Sequence, residues 1–125
     1  MNTKKLGQLG EDEAVKYLKK NGYKIFERNF QNNSGRRLGE IDIIAKDLKE
    51  KELVFVEVKT RSYEKFKDSL PEENITYAKL RKLAKIASAY LRLKKLEAQS
   101  YRFDALSVWM DKGKKPIKIK HIKSL

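Results

Sequence analysis

Gly39-Glu40-Ile41-Asp42-Ile43-Ile44-Ala45 and Leu53-Val54-Phe55-Val56-Glu57-Val58-Lys59 are two apolar runs, each interrupted by charge and joined by a short charged linker. Their length and β-branched content predict two strands. Paired as an antiparallel hairpin with Lys46 opposite Leu53, they put Asp42 opposite Glu57 and Glu40 opposite Lys59. Side chains alternate along a strand, so one face carries Ile41, Ile43 and Ala45 against Val58, Val56 and Val54. The other carries Ile44 and Phe55, then the four charged residues. A slip of one residue scrambles both faces, so the hydrophobic pattern selects this register. The apolar face calls for a helix packed on it.

Around this hairpin the rest of the chain follows. Residues 4–21 read as a helix, with Leu6, Leu9, Ala14, Tyr17 and Leu18 at helical spacing and Asn21-Gly22 ending it. Gly7 and Gly10 let that helix approach the sheet closely. Residues 23–30 read as a strand with Tyr23, Ile25 and Glu27 on one side. A polar, basic loop at 31–38 and a long loop at 62–74 containing Pro71 frame the featured strands. A second helix is expected at 75–95, with Leu80, Leu83, Ala84, Ala87, Tyr90 and Leu91 inward and Lys79, Arg81, Lys82, Lys85 and Arg92 mainly outward. Strands at 101–110 and 116–122 close the chain across the turn Asp111-Lys112-Gly113. The order α-β-β-β-α-β-β predicts one α/β domain over 1–125, a mixed five-stranded sheet flanked by two main helices.

Composition narrows the chemistry. The 125 residues can bury a real core, and although 38% are charged, the 40% that are hydrophobic are organised rather than sparse. The chain has no cysteine and one histidine, His121, which excludes thiolate metal sites and makes a Ser-His-Asp device or a histidine-rich zinc site a poor fit. With neither a signal peptide nor a long apolar run in view, the expected home is the cytoplasm and not a membrane. Charge is unevenly placed: residues 1–76 carry 16 basic and 14 acidic side chains, residues 77–125 carry 14 basic and 3 acidic. The second part is a polycation, the usual footprint of a nucleic-acid binder.

The hairpin supplies the reactive candidates. Two facing carboxylates repel, increasingly so when desolvated, and a bound cation relieves the cost better than a lysine does. Carboxylates suit Mg²⁺, with Mn²⁺ as a substitute, and one or two of them with waters and a substrate phosphate is the usual Mg²⁺ arrangement. Such an ion lowers the pKa of a bound water and stabilises charge developing on phosphorus. Lys59 is placed to orient the nucleophile or neutralise the transition state. Glu11 shares the inward face of the first helix and is either a first-turn acid favoured by the helix dipole or a further site group. Glu13 falls further off that stripe. Glu40 is a ligand, a partner of Lys59 or a substrate-facing acid. Asp104 is structural or stands behind the ligands. Arg36, Arg37, Arg61, Lys79 and Lys82 form the candidate phosphate-binding group.

The stretches Gly7-Gln8-Leu9-Gly10-Glu11, Arg28-Asn29, Gly39 to Ala45 and Phe55-Val56-Glu57-Val58-Lys59-Thr60-Arg61 resemble the bacterial YraN-like family of uncharacterised predicted endonucleases. The arrangement of Asp42 on one strand and Glu57-Val58-Lys59 on the next resembles the PD-(D/E)xK nuclease superfamily, whose fold is that of the restriction endonucleases. Asp42-Ile43-Ile44-Ala45 followed by Glu57-Val58-Lys59 is also similar to archaeal Holliday-junction resolvases. The resemblance implies acidic site residues Glu11, Asp42 and Glu57, a catalytic lysine at Lys59, and a metal set of Asp42, Glu57 and Val58, the last having only its main chain to offer. Ile41 stands where the superfamily often has proline. The implied activity is Mg²⁺-dependent endonucleolytic hydrolysis of DNA, selective for structure such as junctions, and junction substrates imply a homodimer. The competing expectations are a nucleic-acid-binding accessory of the same fold without catalysis, and a basic scaffold for a protein or ribosomal partner.

Overall fold

The structure is a computed structural model that describes residues 3–31, 39–66 and 76–125. Helix α1 spans Thr3–Lys20 and is followed by strands β1 (Tyr23–Gln31), β2 (Glu40–Asp47) and β3 (Glu52–Ser62). A one-turn helix α2 (Tyr63–Phe66), the long helix α3 (Tyr77–Leu93), β4 (Tyr101–Met110) and β5 (Pro116–Ile122) complete the order. The expected succession of elements is present. The exception is α2, which occupies part of what sequence reading assigns to a loop; residues 67–75, with Pro71, lie outside the described residues.

The five strands form one mixed sheet in the order β1-β2-β3-β4-β5. Neighbours are antiparallel except β3 and β4, which are parallel and so need the crossover that contains α3. The two faces carry separate cores. On one, Ala14 and Leu18 of α1 pack with Tyr23, Ile43, Ala45, Val54, Val56, Leu106, Val108 and Met110. On the other, Leu83, Ile86, Ala87, Tyr90 and Leu91 of α3 pack with Ile41, Ile44, Leu53 and Phe55. The apolar stripe of α3 therefore runs through Ile86 rather than Ala84, which is exposed. Thr76 caps this helix by accepting the backbone N–H of Lys79 at 3.2 Å. At α1 the close approach is made by Gly10: a Cβ there would collide with the side chain of Thr60 on β3. Gly7 faces open space and has no such role.

The hairpin register is the one the hydrophobic pattern selects: Lys46 pairs with Leu53, and the rungs run from Asp47↔Glu52 to Ile43↔Val56. There the pairing stops. Ile41 belongs to the α3-side core while Ile43 belongs to the α1-side core, so the two do not share a face as strict alternation requires. The partner strand turns with it. Opposite Ile43, Arg28 reaches α1; opposite Ile41, Phe30 packs edge-on against Tyr90 of α3 at 5.1 Å between ring centroids. Between them Asn29 has φ 54°, in the left-handed region. A second irregularity, a bulge at Phe26, shifts the β1 register so that Glu27 lies opposite Ile44. Glu27 is thus on the α3 side, away from Tyr23 and Ile25.

Candidate active site

The half-turn in β2 decides how Asp42 is aimed. Its carboxylate lies along the sheet, where Oδ2 accepts the backbone N–H of Val58 at 2.7 Å and takes the place of the missing rung. In an antiparallel pair the N–H and C=O of one residue point to the same side. The Val58 carbonyl therefore opens toward Asp42, beyond the last β2 rung. Burial, first, and then Glu57, Glu11 and Glu40 push the Asp42 carboxyl up to about 7, against the pull of the Val58 N–H. Glu57 follows Phe55 onto the α3 side; burial raises its pKa, Glu40 adds to the rise, and Lys79 and Lys59 oppose it.

Beside Asp42 is a cleft of about 940 Å³ between the start of α1 and the sheet. Its walls include Glu11, Asp12, Arg28, Asn29, Glu40, Asp42, Val58 and Lys59. Five of the expected site positions, Glu11, Glu40, Asp42, Val58 and Lys59, thus come together. Glu57 does not line the cleft and acts on Asp42 from behind it. Glu11 is held firmly: Oε1 accepts Arg28 Nε at 2.9 Å and Oε2 accepts Asn29 Nδ2 at 3.1 Å. The same Asn29 amide donates to Glu40 Oε1 at 3.2 Å, and Gln31 donates to Glu40 Oε2 at 3.4 Å. Arg28 also pairs with Asp12 at 2.7 Å. Among the described residues no three His, Asp or Glu side chains converge closely enough to enclose an ion. The oxygens that the cleft itself offers are those of Glu11, Asp12, Glu40 and Asp42 and the Val58 main chain, and hard donors of this kind suit Mg²⁺ or Mn²⁺.

The candidate phosphate contacts separate. Lys79 and Lys82 are exposed on α3, and Lys79 is close enough to Glu57 to act on its charge. Arg61 departs from the expectation: it is buried, with its guanidinium 5.8 Å from the Trp109 ring centroid, and is not offered to a polyanion on the open surface. Arg36 and Arg37 lie outside the described residues. Sequence reading gave no role to Arg28, Asn29 or Gln31. The available signal was an asparagine inside a strand, a residue that strands disfavour.

Asp104 is a fully buried acid, and its surroundings are structural. It lies on β4 beside Val56, two strands from β2, and accepts from Arg102 at 3.0 and 3.2 Å, His121 Nε2 at 2.7 Å and the Ser124 N–H at 3.0 Å. Arg102 also binds Asp47 at 3.0 Å, Glu52 at 3.2 Å and the Tyr23 hydroxyl at 2.8 Å. Burial works to raise the Asp104 pKa, but the bonds from His121, Arg102 and Ser124 outweigh it and hold the carboxyl below its usual range. His121 Nδ1 meets the Tyr17 hydroxyl at 3.1 Å. Burial and Asp104 raise the Tyr17 pKa, so this phenol keeps its proton and serves as a donor, not a nucleophile.

The sequence matches the family described as "Uncharacterised protein family UPF0102" over residues 10–108. It is similar to a UPF0102 protein of Caldicellulosiruptor saccharolyticus, 43% identical over 124 residues, which cover 99% of this chain and 98% of that one. A UPF0102 protein of Clostridium beijerinckii is 41% identical over 96% of this chain and 91% of its own length. One of Caldanaerobacter subterraneus is 40% identical over 98% of this chain and 94% of its own. No helix among the described residues is long and apolar enough to cross a membrane.

Proposed function

The chain belongs to UPF0102, and from the geometry around Asp42 we propose that it is a divalent-metal-dependent endonuclease with a restriction-endonuclease-like fold, acting on DNA in the cytoplasm. The observation that carries this reading is a half-buried acid, Asp42, that accepts the Val58 N–H and shares one cleft with Lys59, Glu11 and Glu40. Asp42 is pushed up to about 7 in a cleft that also presents Lys59 and the Val58 main chain. A structural carboxylate is normally given enough donors to keep its pKa low, as Asp104 is. Strongly perturbed acids in clefts are the usual mark of chemistry.

In this reading Asp42 and the Val58 carbonyl would hold Mg²⁺, or Mn²⁺ in its place, in the cleft, and Glu57, which does not line it, would act through Asp42. The ion supplies an activated water and charge neutralisation at phosphorus. Burial and the neighbouring acids raise the Asp42 pKa, so a metal bound there would compete with its proton. Lys59, exposed at the cleft, orients the scissile phosphate or the attacking water. Water adds to phosphorus, one P–O ester bond breaks, and the leaving oxygen takes a proton from solvent. Lys79 and Lys82 lie on the outer surface of α3 and contact the phosphate backbone, a contact that reads charge and shape rather than sequence. A structure-selective substrate, such as branched or four-way DNA, and a homodimer that presents two such sites follow from this reading. A second reading, nucleic-acid binding without cleavage, is favoured by the way Glu11 is tied to Arg28 and Asn29 instead of standing open to a metal.

The discriminating experiment is a cleavage panel of duplex, single-stranded, flapped and four-way DNA, with RNA, in Mg²⁺, Mn²⁺ or chelator. Metal-dependent cutting that Asp42→Ala and Lys59→Ala both abolish, with the fold retained, supports the nuclease. Salt-sensitive binding with no cutting in any metal favours the second reading.

A further inference from the structure

Asn29 makes two unusual contributions at one position. Its backbone is left-handed, which non-glycine residues rarely adopt and asparagine tolerates better than most. That conformation lies where β1 and β2 exchange faces, between Arg28 on the α1 side and Phe30 on the α3 side. Its side chain meanwhile inserts a single amide nitrogen between two carboxylates, 3.1 Å from Glu11 Oε2 and 3.2 Å from Glu40 Oε1. Nitrogen rather than oxygen must face them, because an amide oxygen there would be repelled by both acids.

We propose that Asn29, with Arg28 beside it, is a positioning residue of the acidic site: its backbone turns Asp42 toward β3, and its amide clamps Glu11 and Glu40 next to one another at the edge of the cleft. Without the clamp the two acids repel and swing toward solvent, and the cleft loses the negative field that attracts a divalent cation. Arg28 fixes the second oxygen of Glu11 at 2.9 Å, so the acid is held at both ends. The consequence for metal binding rests on the nuclease reading; the clamp itself does not.

Asn29→Gly separates the two contributions, since glycine keeps the left-handed backbone at no steric cost and removes only the amide. Mn²⁺ titration of the full chain should show affinity weakened about tenfold by Asn29→Gly, as for other groups that orient ligands without touching the ion. The melting temperature should stay close to that of the wild type. In a Glu11→Gln/Glu40→Gln background the same change should have no further effect on Mn²⁺ affinity. Unchanged affinity in Asn29→Gly, or an equal loss in that background, overturns the proposal. A wild-type chain that binds no Mn²⁺ would sink the nuclease reading instead. The clamp is then decided without metal, by the Arg28 Nε–H resonance: slow exchange in the wild type and fast exchange in Asn29→Gly support it, and identical exchange in both refutes it.

Discussion

Asp42, half-buried, and Asp104, fully buried, are two aspartates on one sheet, and their environments move their pKa values in opposite directions. Asp104 collects bonds from Arg102, His121 and Ser124 and is held below the ordinary carboxylate range. Asp42 has one backbone donor and three acids around it and is pushed up to about 7. By register Asp104 lies beside Val56 and Val56 beside Ile43, so the two acids stand two strands apart on neighbouring levels, and Asp104 is not among the groups that move Asp42. At Asp104, charge is buried and compensated by Arg102, His121 and the Ser124 N–H, as a structural network requires. At Asp42, charge is half-buried and only partly compensated, and it borders a cleft. The difference singles out Asp42 as the candidate for chemistry without any appeal to family.

The largest expected effect comes from breaking the compensated end. Arg102→Ala strands Asp104 and Asp47 and should cost about 3–5 kcal/mol in denaturant unfolding, the range for removing one partner of a buried pair. A loss below about 1 kcal/mol would mean the network is not the anchor its geometry implies. The same end sets the acid limit. The depressed pKa values of Asp104 and Asp47 contribute stability that is present above the unfolded carboxylate range. That contribution is lost as pH falls through the folded values.

At the uncompensated end the sign reverses. Asp42→Asn removes a charge that the folded chain disfavours and should stabilise the metal-free protein by about 1–3 kcal/mol at pH 8. A tenfold change in an ionisation constant corresponds to about 1.4 kcal/mol, and local relaxation absorbs part of the gain. A raised carboxyl pKa costs most when the group is ionised. The gain should therefore be full above pH 7 and fade as pH falls toward 4, where the native Asp42 is already protonated. Melting curves of both proteins from pH 4 to 8 check this; a gain independent of pH contradicts it. The smallest effect should come from Lys79→Gln. Lys79 is exposed, so stability should stay within about 0.5 kcal/mol. The Glu57 carboxyl, relieved of its countercharge, should titrate higher by NMR.

Much of the sheet was legible because alternation and register are local properties. Leu53 to Val56 and Ile43 to Lys46 fix the hairpin from the sequence alone, and the rungs fall where the pattern puts them. What alternation could not reveal is the exchange of faces at Ile41, which depends on a left-handed Asn29 in a neighbouring strand. Hence Asp42 was legible as an acid facing the Glu57 region but not as a carboxylate replacing a rung. The α3 stripe was misplaced at its edge because Ala84 and Ile86 both lie near the boundary of the apolar arc. The Arg102 network escaped because its partners are 50 residues and more away in sequence at Asp47, Glu52 and Tyr23. Such pairings exist only after the sheet has formed.

The central claim is that Asp42 is poised for a divalent cation, and its own titration measures this most directly. With the Asp42 carboxyl carbon followed by NMR, the metal-free chain should titrate near 7, and saturating Mg²⁺ should drive that midpoint well below the ordinary aspartate value of about 4. A midpoint near 4 without metal, or one near 7 that Mg²⁺ does not move, would contradict the account.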